Sequence, residues 1–193
     1  MKLSLTTITA FVLTASCAPT SKTTGDWNDP KECKPYTFTS TYQVYATPDQ
    51  VVNATNALTG GLAGAEGWYF YAINSKKDVI CYDITLKGFR GEYQSPAKTA
   101  THIHQAAKGQ NGPPRIAFPN PTDIGKGLRN SKGCITGPFT TGVLANGNDT
   151  GAGFKVEAIE KDPASFFTDV HSSLAVPGAV RGQLAPKKAD ACQ

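Results

Sequence analysis

Residues 68–86, WYFYAINSKKDVICYDITL, decide the fold. Two runs rich in aromatic and β-branched side chains, 68–73 and 79–86, flank the polar segment NSKKD. Apolar runs on either side of a short polar segment are typical of a β-hairpin. Upstream, residues 36–46 alternate between apolar side chains and mostly Thr or Gln, which predicts a half-buried strand. The sequence therefore predicts an all-β core built outward from this hairpin.

The rest of the chain supplies further short strands. We predict strands around 102–104 and at 115–118, 134–141, 166–171 and 179–184, with loops or turns at 88–98, 124–133, 146–153 and 176–178. The one helical pattern covers 154–161 and ends at Asp162-Pro163. Short strands separated by turn signals favour a Greek-key β-sandwich or barrel with one short helix.

The first 18 of the 193 residues are typical of a secretory signal peptide, with Lys2, an apolar stretch at 3–14 and the small residues ASCA at 15–18. A membrane anchor is the alternative, but the apolar run is far shorter than the ~20 residues of a membrane span. A bacterial lipoprotein signal is a second alternative, although Thr14 stands where such signals have Leu. We expect a secreted chain without a membrane span: a polar leader at 19–35, one domain at 36–186 and a polar tail at 187–193.

Charge and motifs exclude several classes of function. The net charge is +4, and it falls to +3 once Lys2 is removed, which is too small and scattered to predict a nucleic-acid partner. No Gly-x-Ser-x-Gly and no glycine-rich phosphate loop between a strand and a helix occurs in the sequence. Most carboxylates are scattered, as on a solvated surface.

Four cysteines remain after signal cleavage: Cys33, Cys81, Cys134 and Cys192. An even number in an exported chain predicts two disulfides, with three possible connectivities. We favour Cys33–Cys192, which bracket the domain, and Cys81–Cys134, which lie in strand-like runs. Two Asn-x-Thr triplets, at Asn53 and Asn148, are candidate glycosylation acceptors in a eukaryotic host.

Three histidines carry the candidate chemistry: His102 and His104 in Thr101-His102-Ile103-His104, and the distant His171. Residues two apart on a strand share a face, so the first two imidazoles can chelate one ion, and His171 could complete a site with an open position. Asp169 lies on the same strand face as His171 and could orient an imidazole. Imidazole is a common ligand of copper, our first choice of metal, and of zinc, our second. The alternative is a polar strand end whose imidazoles bond to backbone carbonyls.

Three blocks of the sequence together resemble the CHRD (chordin-type) domain family: CYDITLKG at 81–88, ATHIHQAAKGQNGP at 100–113, and Asp169-Val170-His171 followed by PGAVRGQL at 177–184. The chain is most similar to small secreted fungal single-domain members. It departs from the family where Ala179-Val180 replaces the usual Gly-Glu-Ile before Arg-Gly-Gln. The resemblance implies a non-enzymatic extracellular binding or cell-surface module, whose partner would be an extracellular protein or cell-surface ligand.

A weaker likeness is to the copper/zinc superoxide dismutases, which share the order of a His-x-His strand, a late His and an Arg. It implies an alternative function as a mononuclear copper redox protein with dismutase-like activity. His102, His104 and His171 would be the copper ligands and Arg181 the anion-guiding residue. No histidines remain for a bridging or zinc-loop role, which excludes a full two-metal site. The implied fold is a superoxide dismutase-like or immunoglobulin-like sandwich.

Overall fold

The computed structural model describes residues 37–185, which form two antiparallel sheets. In chain order the strands are β1 (Ser40–Ala46), β2 (Glu66–Asn74), β3 (Val79–Lys87), β4 (Thr101–Gln105), β5 (Pro114–Phe118), β6 (Thr122–Gly125), β7 (Leu128–Thr136), β8 (Leu144–Ala145), β9 (Asn148–Asp149), β10 (Phe166–Ser172) and β11 (Ala175–Gln183). The larger sheet has the order β1-β2-β3-β7-β6, the smaller has β11-β10-β4-β5, and β8 and β9 form a separate ribbon. One short helix, α1 (Glu157–Lys161), precedes β10.

The predicted hairpin is the centre of the larger sheet. β2 and β3 pair in register from Glu66↔Lys87 to Asn74↔Val79. Alternation directs one set of side chains into the space between the sheets, where Tyr69, Tyr71 and Ile84 are buried. The prediction of an all-β sandwich with one short helix is therefore confirmed.

The two sheets meet through apolar contacts and a buried hydrogen bond. Tyr71 of β2 stacks on Phe118 of β5 with ring centroids 5.4 Å apart. Its hydroxyl lies 2.7 Å from Thr168 Oγ1 of β10, and Thr168 Oγ1 in turn donates to the backbone oxygen of His102 at 2.9 Å. The core is thus connected directly to the strand that carries the histidine pair.

The sheets also join along one edge, between β1 and β11. Thr47 and Arg181 exchange two backbone hydrogen bonds, of 2.9 and 3.1 Å. At Gly182 an added Cβ would lie 2.5 Å from Val44 Cγ1 and 2.8 Å from the Tyr45 oxygen, so the close approach of the two strands requires glycine.

Several element predictions were wrong. The loop predicted at 124–133 is mostly strand, because β7 pairs with β3 along its whole length despite its polar sequence. The turn predicted at 176–178 lies inside β11. Pro177 is tolerated there because β11 is an edge strand, and a backbone N–H that faces away from the sheet is not needed for pairing. The strand predicted at 134–141 ends at Thr136, before Gly137-Pro138, and the helix predicted at 154–161 is confined to α1.

The disulfide predicted between Cys81 and Cys134 is confirmed, and it joins directly opposed residues of β3 and β7. The other predicted pair, Cys33 and Cys192, lies outside the described residues, as do the signal peptide, the leader and the tail. Asn148 is exposed and Asn53 half-buried, and glycosylation at both stays a prediction.

The cross-sheet hydrogen bond of Tyr71 should contribute measurably to stability. We expect Tyr71→Phe to lower the free energy of unfolding by ~1 kcal/mol, because a buried neutral hydrogen bond is lost without a change in packing. The matched control is Tyr45→Phe, since that hydroxyl is exposed and bonds to Glu66. Urea denaturation measures the free energy of unfolding of both variants. Equal stability of the two would mean that the Tyr71 hydrogen bond does not stabilise the fold.

Candidate metal centre

Two adjacent strands of the smaller sheet bring the predicted histidines together. β4 and β10 are antiparallel, with Asp169 opposite His102 and Phe167 opposite His104. Because alternate residues share a face, Asp169, His171 and the histidine pair all lie on the sheet's outer face, away from the sandwich core. Ile103, between the two histidines, points the other way and is fully buried in that core.

The cluster is nevertheless buried. His102 is 1%, Asp169 4% and His104 7% exposed, and His171 is half-buried. The ring of Phe167 stacks on that of His104 with centroids 4.8 Å apart. Neighbouring segments therefore cover the outer face of the sheet at the histidine pair, and the carbonyl contacts that the alternative interpretation expected are present at both imidazoles.

Each imidazole is oriented by a backbone carbonyl. The acceptors are Thr99 O, 2.7 Å from His102 Nε2; Gly112 O, 2.8 Å from His104 Nδ1; and Val176 O, 2.9 Å from His171 Nδ1. A carbonyl oxygen can only accept, so each facing nitrogen must carry a proton. In a neutral imidazole the opposite nitrogen then has a free lone pair. The three carbonyls thus aim three ligand atoms inward.

The position of Gly112 depends on its lack of a side chain. An added Cβ would lie 2.1 Å from the Gln105 backbone oxygen. Only glycine allows the segment after β4 to fold back so closely and place its carbonyl on His104.

Three of the inward atoms lie at distances that fit a tetrahedral metal ion, and the fourth lies close to them. His102 Nδ1 and His104 Nε2 are 3.3 Å apart, and Asp169 Oδ1 lies 3.5 Å from the first and 3.3 Å from the second. His171 Nε2 is 3.1 Å from Asp169 Oδ2. Ligands of a tetrahedral ion with bonds near 2.0–2.1 Å are about 3.3–3.4 Å apart. All four ligand atoms lie within 4.8 Å of one another.

Asp169 faces the inward nitrogens directly. The sequence suggested that it could orient an imidazole, and its Oδ2 pairs with His171 Nε2, while backbone carbonyls hold the outer nitrogens. Its Oδ1 is buried and has no hydrogen-bond partner of acceptable geometry. A buried carboxylate oxygen without a donor is costly unless a cation is near. Asp169 therefore belongs with the three imidazoles to a cluster of four side chains that could hold a metal ion.

The cluster is electrostatically coupled. Burial alone would raise the pKa of Asp169, but the neighbouring His104 and His171 lower it well below its usual value. Burial opposes the protonation of His171, yet the adjacent carboxylate raises its pKa to about 9. For His102 burial is the larger effect and lowers the pKa. The site thus favours a cation beside Asp169.

Arg181 lies next to the cluster, opposite Asp169 in the pairing of β10 with β11. Its guanidinium carbon is 3.5 Å from the ring centroid of Phe167, and the residue is 4% exposed. A small pocket of about 30 Å³ is lined by Arg181 together with His104, Asp169 and His171. The candidate anion-guiding residue therefore shares one pocket with three of the four possible metal ligands.

Comparison with known families agrees with the blocks around these residues. The CHRD domain profile matches residues 42–184, which is most of the chain. The chain belongs to the CHRD domain family. No curated protein and no solved structure matches it.

CHRD domains are generally extracellular modules. Within residues 37–185, no helix is long and apolar enough to cross a membrane. The family assignment names no partner and no activity for this CHRD domain.

The raised pKa of His171 predicts how stability depends on pH in metal-free protein. The folded pKa of about 9 lies above the ordinary value of 6.5. Its contribution to stability is then fully present below pH 6.5 and is lost as pH rises through about 9. We expect the Tm of chelator-treated protein to fall across this interval, and we expect His171→Gln to flatten the fall because the amide carries no charge. Thermal melts of both proteins at a series of pH values measure the change in Tm. If Tm falls equally with pH in wild type and in His171→Gln, the pairing of His171 with Asp169 does not control it.

Proposed function

We propose that this CHRD domain is an extracellular metal-binding module. His102, His104, His171 and Asp169 would hold one transition-metal ion, copper in first place and zinc in second. One observation carries the proposal: three imidazoles, each tied to a backbone carbonyl at its outer nitrogen, aim their other nitrogens at one buried point beside an unpartnered carboxylate oxygen. Hydrogen bonding at the outer nitrogen is the usual arrangement for a metal-ligating histidine.

The donor set selects the class of metal. Calcium and magnesium prefer oxygen ligands, whereas imidazole suits copper and zinc. For a given nitrogen and oxygen site, affinity generally rises along the divalent series to copper and then falls at zinc. This order supports copper, and zinc stays the second choice because it also binds imidazole and carboxylate ligands.

A purely structural ion pair is the competing explanation. Without a metal, a hydrogen bond between His102 and His104 needs an extra proton, because their outer nitrogens already use one each on carbonyls. The pair of His171 and Asp169 satisfies only the Oδ2 side of the carboxylate. A metal ion would satisfy Oδ1 and all three inward lone pairs together, so it explains more of the geometry.

Copper titration by calorimetry tests the module, using chelator-treated protein at pH 7.5. We expect wild type to bind one equivalent of copper, and the bound copper to raise the Tm, because the ion binds the folded protein preferentially. His171→Ala should weaken binding by about 100-fold or more, since loss of a ligand exceeds the effect of losing an outer-shell partner. Circular dichroism checks that the variant is folded, because His171 also pairs with the buried carboxylate of Asp169.

Asp169→Asn and Asp83→Asn are a matched pair of substitutions. Asp83 is an exposed strand carboxylate on the other sheet, so its replacement should leave copper affinity unchanged. Asp169→Asn should lower the affinity because it removes the charge beside the inward nitrogens. Equal affinities of wild type, His171→Ala and Asp169→Asn would reject the site.

A second candidate function is dismutase-like redox activity, and the pocket beside the cluster favours it. About 30 Å³ holds a molecule the size of water, which limits any substrate to a few atoms. Arg181 and Asp169 bring opposite charges to the same pocket, so a bound copper ion would leave it net positive and favourable for an anion. Bound copper would supply one-electron chemistry, while the chain would orient the ion, attract the anion and exclude larger molecules.

Arg181→Gln separates this candidate from metal binding alone. In copper-loaded protein we expect it to weaken azide binding and to slow any superoxide disproportionation, because the charge in the pocket is lost. Copper affinity should not fall, since the guanidinium is not a ligand and its positive charge repels the ion. Arg115→Gln, a change outside the pocket lining, is the control. Absence of superoxide activity in copper-loaded wild type would leave the binding module as the function.

A further inference from the structure

The outer face of the larger sheet carries three exposed aromatic side chains. Tyr45 is 50%, Trp68 42% and Phe70 39% exposed. The rings of Tyr45 and Trp68 lie side by side with centroids 5.6 Å apart. We name the surface formed by these three side chains the aromatic face. It lies on the opposite side of the sandwich from the histidine cluster, so it is independent of the proposed metal centre.

Strand register surrounds the aromatic face with polar side chains. One row across β1, β2 and β3 reads Gln43, Phe70, Asp83, and the next reads Tyr45, Trp68, Thr85. These six residues, with Val44 and Tyr69, line an open groove of about 490 Å³. The sandwich core lies on the other face of the sheet and does not require aromatic residues here. A contiguous exposed aromatic patch rimmed by polar groups marks an interaction site.

The charges around the aromatic face cancel. Glu66 and Lys87 form an ion pair of 3.1 Å at one end of it. Asp83 lies opposite Lys132 in the pairing of β3 with β7 and accepts a hydrogen bond of 2.7 Å from Asn130. Two acids are thus matched by two bases. A neutral partner is complementary to this surface, whereas a strongly charged one is not.

We propose that the aromatic face binds a neutral polysaccharide. The flat faces of a pyranose ring carry C–H groups that pack on aromatic rings, and the hydroxyls around its edge form hydrogen bonds. Tyr45, Trp68 and Phe70 provide the stacking surface, and Gln43, Asp83 and Thr85 provide donors and acceptors beside it. Protein interfaces also combine an aromatic centre with a polar rim. The flat rings, the hydroxyl-binding groups beside them and the balanced charge together assign a neutral glycan as the partner class.

Sedimentation with insoluble polysaccharides tests the proposal. The full protein is mixed with crystalline cellulose, chitin, curdlan and mannan, and with carboxymethyl cellulose as an anionic comparison. The buffer contains enough salt to screen the protein's net positive charge. We expect saturable binding to at least one of the four neutral polymers, unchanged by further salt. Trp68→Ala and Tyr45→Ala should each weaken it by about tenfold or more, as truncation of an aromatic anchor does.

Leu144→Ala is the matched control, because Leu144 is 69% exposed but lies on the β8–β9 ribbon, outside the aromatic face. Circular dichroism confirms that each variant is folded. The proposal is overturned if the protein binds none of the four neutral polymers. It is also overturned if Trp68→Ala leaves the binding unchanged. Binding to carboxymethyl cellulose alone overturns it as well. Sedimentation equilibrium is run in parallel, and dimerisation abolished by Trp68→Ala would assign the aromatic face to self-association instead.

Discussion

The antiparallel pairing of β4 with β10 is the constraint on which the rest depends. A slip of one residue would turn the histidine pair into the core and Ile103 out to the surface. The core prevents this, because Ile103 is fully buried and Thr168 Oγ1 bonds both to Tyr71 and to the backbone oxygen of His102. The register of a possible metal site is thus set by contacts on the opposite face of its own sheet.

Pairing alone does not orient the imidazoles. The three carbonyls that do so belong to Thr99 before β4, Gly112 in the segment after it, and Val176 on β11. These segments are separated along the chain and meet only when the smaller sheet has formed. The geometry of the cluster is therefore a property of the folded sheet and its connections, and a short peptide containing the histidine pair would lack it.

Alternation explains what could be predicted from the sequence. A period of two placed the histidine pair and Ile103 on opposite faces, and it also placed Asp169 with His171. The same reasoning missed the strand β7. Its residues are mostly polar and only partly buried, and they form a strand because they pair with β3. The carbonyl contacts are backbone features with no side-chain signature. Asp169 was found, but its place among the ligand atoms depends on a register between distant strands that the local sequence does not encode.

The convergence of lone pairs links stability to function. Neutral imidazoles held by carbonyls at their outer nitrogens present three lone pairs and a carboxylate to one buried point, and such an arrangement is unfavourable without positive charge. A proton shared by His171 and Asp169 meets part of this need, and it satisfies one carboxylate oxygen. A bound metal ion would meet all of it but would first have to displace that proton. Metal affinity should therefore rise with pH until His171 is deprotonated. The Asp169 carboxylate holds the proton on His171 in the metal-free fold, and this proton competes with the metal ion.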